Sequence, residues 1–433
     1  MKEACSQRIA LVDVNNMYVS CERIFRPDLE KVPLVVLSNN DGCIVSRSAE
    51  VKAMQIAMAE PWFKVKEYAE AQGVKAFSSN YALYANISNR IMSILAEFTP
   101  YQEVYSIDES FLDFTGMPKN LTDYAQTIRQ RIRQWVGVPI CIGIGPSKTL
   151  AKLANAIAKK NPSWGGVCDL SALTPLEVQT CLAALPVSEV WGIGRRLTKA
   201  LDKLGIKTVR DLQAVEPALM RKLFSVVVER IVLELRGISC LELEELIADK
   251  KQIISSRSFG HEVYTHDDLK EAITLYIGIA AEKLRKQHSV AKGVYVSIAS
   301  SRFKTSHALY RESVLIPLPD YTDDTLMLTR FALQGLERIY KLGIGYAKAG
   351  VMLVEIISKD DMPPKLFVDD EKEIAHRASL MHTLDAINRR YGKHTLGVGV
   401  AGLNHPRDWS MRRGNKTPGY TTCWEELPIA YAD

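Results

Sequence analysis

Closely spaced cysteines are missing from this 433-residue chain. Its eight cysteines stand singly and form no Cys-x-x-Cys motif, so a zinc site is not expected. Their scatter is typical of buried thiols in a reducing compartment. The cysteines are Cys5, Cys21, Cys43, Cys141, Cys168, Cys181, Cys240 and Cys423.

Long apolar runs are also missing. The stretch from Ser225 to Leu235 is interrupted by Glu229, Arg230 and Glu234, and no run approaches the length that spans a bilayer. The first residues lead directly into strand-like sequence without the pattern of a signal peptide. Internal repeats and low-complexity tracts are absent as well. We therefore expect a cytoplasmic protein.

A strong excess of one charge is the third absence. Lysine and arginine total 55 against 50 acidic residues, which gives a net charge of +5. This mild basic excess allows a nucleic-acid partner without requiring one, because the local distribution of charge decides. The length predicts about two to four domains.

Acidic residues at the ends of apolar segments are the most informative feature that is present. Asp13 follows the run Ile9–Val12, and the pair Asp108 and Glu109 lies inside Tyr105–Ser110. Both surroundings predict strands, and side chains alternate along a strand, so a strand end, bulge or hairpin turn is needed to aim both acids at one site. Clustered carboxylates require cations, which predicts a divalent metal.

Simpler interpretations of these acids remain open on the residues alone. Asp13 could serve only as a helix cap or a turn former. Asp108 and Glu109 could lie in a solvated loop. Their apolar surroundings favour a site, because ionised acids rarely occur within such strands without a partner.

The pattern changes along the chain. Residues 9 to about 170 alternate strands and helices, which predicts an α/β or α+β unit, and residues 171–245 are helical with short loops. Within the helical part, Gly192 and Gly194 precede Arg195 in a predicted hairpin whose backbone amides suit a DNA phosphate. A plain αα-hairpin is the alternative.

The remaining part of the chain predicts a small α+β domain followed by an irregular, polar tail. Strands and helices from about 250 to 356 follow a βαββαβ order, and Arg257 and Lys292 on its strands are candidate contacts to a phosphate backbone. Exposed sheets also carry such residues for solubility. The segment Gly143–Thr149 lacks the spacing of a Walker A loop and is interpreted as a turn into a helix.

Several motifs together resemble the Y-family of translesion DNA polymerases, and within it the UmuC group of catalytic subunits of bacterial DNA polymerase V. The resemblance extends over nearly the whole chain to about residue 355. The motifs that carry it are Asp13–Glu22, Leu37–Cys43, Phe77–Tyr81, Tyr105–Glu109, Ser147–Asn155, Val190–Gly194 and Ser256–Gly260.

The resemblance implies an α+β fold of the right-hand polymerase type. Its expected domains are a palm (1–30 and 85–170), small fingers (31–84), a helical thumb with a helix-hairpin-helix (171–245), an α+β little finger (250–356) and a C-terminal extension (357–433). The implied activity is template-directed DNA synthesis of low fidelity past damaged bases, as part of the response to DNA damage.

The resemblance also implies roles for particular residues. Asp13, Asp108 and the carbonyl of Val14 would hold two Mg²⁺ ions, and Glu109 would complete the site. The triphosphate would be bound by the amides of Asn16, Met17 and Tyr18 together with Lys52 and Lys159. The ring of Tyr18 would be the steric gate that excludes ribonucleotides.

Partners follow from the same resemblance. They are primer-template DNA, deoxynucleoside triphosphates, a UmuD′-like dimer, a recombinase filament and a sliding clamp. The clamp would bind Leu366 and Phe367, although the glutamine of the usual clamp motif is absent. A two-metal nuclease, a palm-type nucleotide cyclase and a DNA-binding accessory protein with a degenerate polymerase site are the alternatives.

Overall fold

The computed structural model describes residues 7–117, 120–244, 248–303, 309–363, 371–401, 407 and 409–429. These residues form two compact units. Unit 1 comprises the described residues within Met1–Ser38, Cys43–Ile247 and Asn415–Asp433, and unit 2 those within Asn39–Gly42 and Ala248–Gly414. Across these ranges, no helix combines the length and the apolar character needed to cross a membrane.

Unit 1 mixes strands and helices. Its strands are β1 (Ile9–Val14), β2 (Leu34–Leu37), β3 (Ile44–Arg47), β4 (Lys75–Ser78), β5 (Gln102–Val104), β6 (Glu109–Asp113), β7 (Ile140–Gly145) and β8 (Val167–Asp169). Its helices are α1 (Met17–Phe25), α2 (Ala49–Ala53), α3 (Trp62–Ala71), α4 (Tyr81–Leu95), α5 (Leu121–Trp135), α6 (Lys148–Lys160), α7 (Pro175–Ala183), α8 (Arg195–Lys203), α9 (Val209–Ala214), α10 (Pro217–Leu223) and α11 (Val226–Leu235).

The larger sheet of unit 1 has the strand order β5-β6-β1-β7-β8. Strand β1 lies at its centre, antiparallel to β6 and β7, and each of its six residues is buried. Its first four residues, Ile9–Val12, are all apolar, as expected for a strand whose two faces are both covered. A smaller sheet has the order β3-β2-β4.

Helix α6 lies close against β7 because β7 carries glycines at the contact. A Cβ atom built on Gly143 would lie 2.6 Å from the carbonyl carbon of Ala154 and closer still to backbone atoms of Ala151 and Asn155. The side chain of Ser147 caps the helix by accepting from the amide of Leu150. The Gly143–Thr149 segment is therefore a strand followed by a capped helix, as the sequence analysis predicts.

Unit 2 contains one sheet and three described helices. Its strands are β9 (Ile253–Val263), β10 (Ser289–Ser300), β11 (Arg311–Thr322) and β12 (Tyr346–Ser358), and its helices are α12 (His266–Lys286), α13 (Thr325–Ile339) and α14 (Glu371–Tyr391). The sheet has the order β11-β10-β12-β9, and the element order up to β12 is the predicted βαββαβ. Pro317 and Pro319 lie on β11, an edge strand, where a missing amide donor is tolerated.

The prediction of an irregular tail after residue 357 is wrong for Glu371–Tyr391, which forms helix α14. Most of its described side chains are exposed, so the helix lacks the apolar periodicity that sequence analysis detects. Its contacts with the rest of unit 2 are largely polar. Arg285 donates to both carboxylate oxygens of Asp385 at 2.7 Å, and Met381 is the buried residue beside this pair.

Candidate active site

The predicted acidic residues meet at neighbouring strand ends in unit 1. Asp13 on β1 lies directly opposite Glu109, the first residue of β6, and the amide of Val14 donates to the carbonyl of Asp108 at 2.9 Å. Residues directly opposite each other in an antiparallel pair place their side chains on the same face. The sheet thus brings together acids that lie far apart in the sequence.

A hairpin turn between β5 and β6 allows the neighbouring acids Asp108 and Glu109 to contribute to one place. The hydroxyl of Ser106 accepts from the amides of Asp108 (3.2 Å) and Glu109 (3.0 Å) and donates to the carboxylate of Asp108 at 2.6 Å. The strand predicted around the acid pair is therefore interrupted, with β5 ending at Val104 and β6 beginning at Glu109. A hairpin turn is one of the three features, with a strand end and a bulge, that can direct two neighbouring acids to one site.

Two lysines of helix α6 pair with these acids. The ammonium of Lys159 lies 2.5 Å from Oδ2 of Asp13, and that of Lys152 lies 2.8 Å from Oε2 of Glu109. Residues seven apart lie on the same face of a helix, so one face of α6 supplies both cations. Within the described ranges, no three His, Cys, Asp or Glu residues form a group that could hold a metal ion.

Burial makes Asp13 dependent on a positive partner. Its burial raises the pKa of the carboxyl to about 6, the lowering effect of Lys159 opposes this, and the charges of Glu109 and Asp108 raise it further. A carboxylate in this position is stabilised by any nearby cation. The carboxylates of these three acids and the Val14 carbonyl offer oxygen atoms, the donors that a hard divalent cation prefers, but in the described structure the carboxylates of Asp13 and Glu109 contact lysines and the three acids do not form a metal-binding group.

Aromatic rings surround Lys152, a residue that the sequence analysis did not assign to the site. Its ammonium lies 4.4 Å from the ring centre of Tyr105, 4.9 Å from that of Trp191 and 5.7 Å from that of Phe111. Cation–π attraction adds to the ion pair with Glu109. The spacing of Lys152 and Lys159 along α6 was the available signal in the sequence.

The start of helix α1 lies beside the acids. Asn16, which precedes α1, adopts a left-handed conformation (φ 50°, ψ 46°), and Oδ1 of its side chain lies 2.6 Å from the ammonium of Lys52. The first amides of a helix lack partners within it, and those of Met17 and Tyr18 are in this position. Such amides suit an anion.

A cationic group accompanies these amides. Burial lowers the pKa of Lys52, and the charges of Arg47 and Lys159 lower it further. Arg47 and Lys159 thus lie near enough to Lys52 to affect its pKa. Arg47, at the end of β3, was missed by the sequence analysis, because a single arginine in a short strand carries no distinguishing pattern.

The predicted gate residue, Tyr18, is half-buried against other tyrosines. Its ring stacks on that of Tyr84, with centres 4.4 Å apart and planes at 14°, and meets the ring of Tyr81 edge-on at 5.9 Å. The orientation of Tyr18 is therefore determined by helix α4, which carries both neighbours.

The predicted DNA contacts are divided between the two units. In unit 1, Gly192 has a φ of +92°, Gly194 caps helix α8, and Arg195 is exposed at its first position. In unit 2, Arg257 on β9 is exposed, and the ammonium of Lys292 on β10 lies 5.2 Å from the ring centre of Tyr321. The predicted clamp contacts, Leu366 and Phe367, lie outside the described residues.

The sequence is similar to known proteins over almost its whole length. It is 44% identical over 421 residues to the protein UmuC of Salmonella typhimurium strain LT2, which covers 96% of this chain and 99% of that protein. The chain belongs to the impB/mucB/samB family. The family model matches residues 12–156, and models of the family's helix-hairpin-helix motif and C-terminal domain match residues 175–206 and 250–366.

More distant similarities agree with this family. The chain is 26% identical to DNA polymerase IV of Oceanobacillus iheyensis, which covers 89% of this chain and 90% of that protein. Among solved structures, a Y-family DNA polymerase chimera (Dbh-Dpo4(243-245)-Dbh) matches with a TM-score of 0.64 and 22% identity, covering 81% of this chain and 99% of the chimera. At that identity the match shows the fold alone. Residues 378–430 match a domain of unknown function.

Membership of the impB/mucB/samB family confirms the predicted UmuC-group Y-family recognition and the right-hand α+β fold class. The family is one of DNA-directed DNA polymerases of the translesion class, so the predicted enzyme class is also confirmed. Binding of DNA and nucleoside triphosphates, and a general dependence on a divalent metal, follow from that class. The individual site residues and the domain boundaries stay predictions.

Proposed function

We propose that this chain copies damaged DNA by nucleotidyl transfer at the end of strands β1 and β6, with Asp13, Asp108 and Glu109 as the catalytic acids. The observation that carries the proposal is the register of Asp13 opposite Glu109, together with the bond from the Val14 amide to the Asp108 carbonyl. Asp13 lies near the end of the buried strand β1, where its carboxyl depends on a positive partner, and this supports a role beyond that of a turn former.

These acids and the Val14 carbonyl would hold two Mg²⁺ ions. When bound, the ions would polarise the α-phosphate, lower the pKa of the primer 3′-hydroxyl and neutralise the departing pyrophosphate. Lys159 and Lys152 supply positive charge to Asp13 and Glu109 in the structure, which supports the proposal that these carboxylates attract cations.

The nucleotide side of the site is assigned to the start of α1. We propose that the amides of Asn16, Met17 and Tyr18 bind the triphosphate, and that Lys52 and Lys159 neutralise it. The close approach of Lys52 to Asn16 supports this grouping. The ring of Tyr18 would then face the sugar and collide with a 2′-hydroxyl.

The DNA contacts and the domain names extend the proposal. We assign the palm, fingers and thumb to the described parts of 1–30 and 85–170, 31–84 and 171–245, the little finger to 250–356 and the extension to 357–433. Gly192, Gly194 and Arg195 would bind one stretch of phosphates, and Arg257 and Lys292 another. Backbone contact of this kind is independent of sequence.

Partner proteins complete the proposal. A UmuD′-like dimer, a recombinase filament and a sliding clamp, the last through Leu366 and Phe367, would recruit the enzyme to stalled primers in the cytoplasm. Retention of clamp binding after replacing both Leu366 and Phe367 with alanine would remove this clamp assignment.

Primer extension on an undamaged and a damaged template tests the catalytic assignment. Asp108→Ala and Glu109→Ala are each expected to abolish extension while the variants still fold and bind DNA, because a carboxylate of the proposed metal site is lost. Glu109→Ala also leaves Lys152 without its ion-pair partner, so a lower unfolding temperature is expected for that variant. Glu97→Ala, which removes a largely exposed acid of the same unit, is the matched control. Extension at the parental rate by either variant would contradict the proposal, and strand cleavage instead of extension would favour a nuclease.

A further inference from the structure

A segment near the C-terminus, residues 415–420, is bound to the polymerase core of unit 1. The amide of Ser78 donates to the carbonyl of Asn415 at 3.0 Å, and the amide of Asn415 donates to the hydroxyl of Ser78 at the same distance. Ser78 also forms a parallel bridge with Lys416. The segment therefore continues the edge of β4 for one bridge. It is called the tail segment below.

A buried asparagine holds the tail segment more firmly. The side-chain nitrogen of Asn80 lies 3.2 Å from the carbonyl of Thr417, 3.1 Å from its hydroxyl and 3.1 Å from the carbonyl of Pro418. Asn80 is 1% exposed and Thr417 is 6% exposed. Three residues after Thr417, the ring of Tyr420 stacks on that of Phe25 on α1, with centres 4.7 Å apart. The contact between Asn80 and Thr417 is an interior one, whereas Phe25 and Tyr420 are partly buried.

Thr417 reaches a buried carboxyl group that the proposed chemistry does not use. Oε1 of Glu22 accepts from the hydroxyl of Tyr84 at 2.6 Å and from that of Thr417 at 3.2 Å. Within the described ranges, Oε2 of Glu22 has no hydrogen-bond partner, and the residue is fully buried. Such a group is unfavourable unless the bonds it does make are kept.

Tyr84 connects Glu22 with Tyr18, the proposed gate residue. The same residue that donates to Glu22 stacks on the ring of Tyr18, with centres 4.4 Å apart. Thr417, Glu22, Tyr84 and Tyr18 therefore form one continuous series of contacts from the tail segment to the sugar side of the proposed site. The motif Phe77–Tyr81, which the proposed chemistry does not use, carries Ser78 and Asn80, two of the residues that bind the tail segment.

We propose that the tail segment positions the ring of Tyr18 through Glu22 and Tyr84 and so sets the discrimination between deoxyribonucleotides and ribonucleotides. The inference rests on the proposed role of Tyr18 as the gate. A gate acts by steric contact with one hydroxyl group, so a small displacement of its ring changes selectivity more than it changes the reaction. The proposal assigns a role to the last part of residues 378–430, the region that matches a domain of unknown function.

The experiment compares two identical substitutions in the full-length chain. Thr417→Val removes the hydroxyl that donates to Glu22, whereas Thr421→Val removes a buried hydroxyl without a hydrogen-bond partner in the described part of the chain. The readout is the ratio of kcat/KM for dATP to that for ATP in primer extension. Both values come from the same preparation, so the ratio is unaffected by the active fraction.

Thr417→Val is expected to lower this ratio about three- to tenfold, the range of one lost hydrogen bond, and Thr421→Val is expected to leave it unchanged. Tyr84→Phe, which keeps the stacked ring but loses the bond to Glu22, should lower it similarly. In a Tyr18→Ala background, Thr417→Val should have no further effect, because the two residues act through one series of contacts.

The outcomes separate the inference from the assignment on which it rests. If Tyr18→Ala leaves the ratio at the parental value, the gate assignment fails and the inference falls with it. If Tyr18→Ala lowers the ratio but Thr417→Val and Tyr84→Phe do not, the gate stands and the role of the tail segment is refuted. An equal loss of selectivity in the two valine variants would also refute it.

Discussion

The close approach of helix α6 to strand β7 allows a prediction about Gly143. Replacing Gly143 with alanine places a Cβ atom 2.6 Å from the carbonyl carbon of Ala154 and nearer still to backbone atoms of Ala151 and Asn155. Real Cβ atoms essentially never lie within 3.0 Å of such neighbours. Backbone atoms cannot rotate away as a side chain does, so the helix itself has to move by roughly 1 Å.

The consequences of that movement reach both stability and activity. Overpacking of a core typically costs about 1–3 kcal/mol. The moved helix carries Lys152 and Lys159, and Asn155, whose side chain donates to the carbonyls of Leu11 (3.2 Å) and Cys141 (2.8 Å) and so joins β1 to β7. A displacement of about 1 Å beside a reacting centre can lower the rate about 100-fold.

Chemical denaturation and single-turnover primer extension measure the two effects on the same Gly143→Ala preparation. Gly278→Ala is the matched control, because a Cβ at Gly278 in helix α12 has nothing within 4 Å, and alanine there should stabilise the helix by about 0.5–1 kcal/mol. If Gly143→Ala unfolds at the same denaturant concentration as the control and extends primers equally fast, α6 is not held by this contact.

Two further predictions concern buried charges in unit 1. Lys148 pairs with Glu103, and its side chain is only 4% exposed. Lys148→Met should therefore lower the free energy of unfolding by about 3–5 kcal/mol, and adding Glu103→Met should restore much of that loss. Losses that simply add in the double variant, measured by chemical denaturation, would contradict this. Burial raises the pKa of Glu22, against the effect of its bonds from Tyr84 and Thr417. The stability that neutral Glu22 provides is complete below the ordinary carboxyl pKa and is lost as the pH rises through the folded-state pKa. Glutamine does not ionise, so the stability of Glu22→Gln relative to the parent should increase as the pH rises through that range. Parallel stability curves for the two proteins from about pH 4 to about pH 8 would refute it.

Local patterns in the sequence predicted much of the framework. The apolar run Ile9–Val12 lies in β1 as predicted, because both faces of a central strand are covered, and the predicted alternation of strands and helices up to about residue 170 is present in unit 1. The need for a turn at Asp108 and Glu109 followed from the alternation of side chains along a strand.

Contacts between distant residues were beyond such patterns. The pairing of Lys152 with Glu109 depends on how α6 lies across the sheet, which local periodicity does not specify. Helix α14 was not predicted because most of its described side chains are exposed. Polar contacts such as that of Arg285 with Asp385 do not produce the apolar periodicity by which a helix is recognised in a sequence.

The docking of the tail segment has a consequence for synthesis of the protein. Residues 415–420 leave the ribosome long after Glu22 and Asn80. These buried polar groups therefore obtain the hydrogen bonds with Thr417 only after the tail segment has been synthesised. A chain that ended before residue 415 would retain the proposed catalytic acids but would lack the hydrogen-bond partners of the Asn80 side chain.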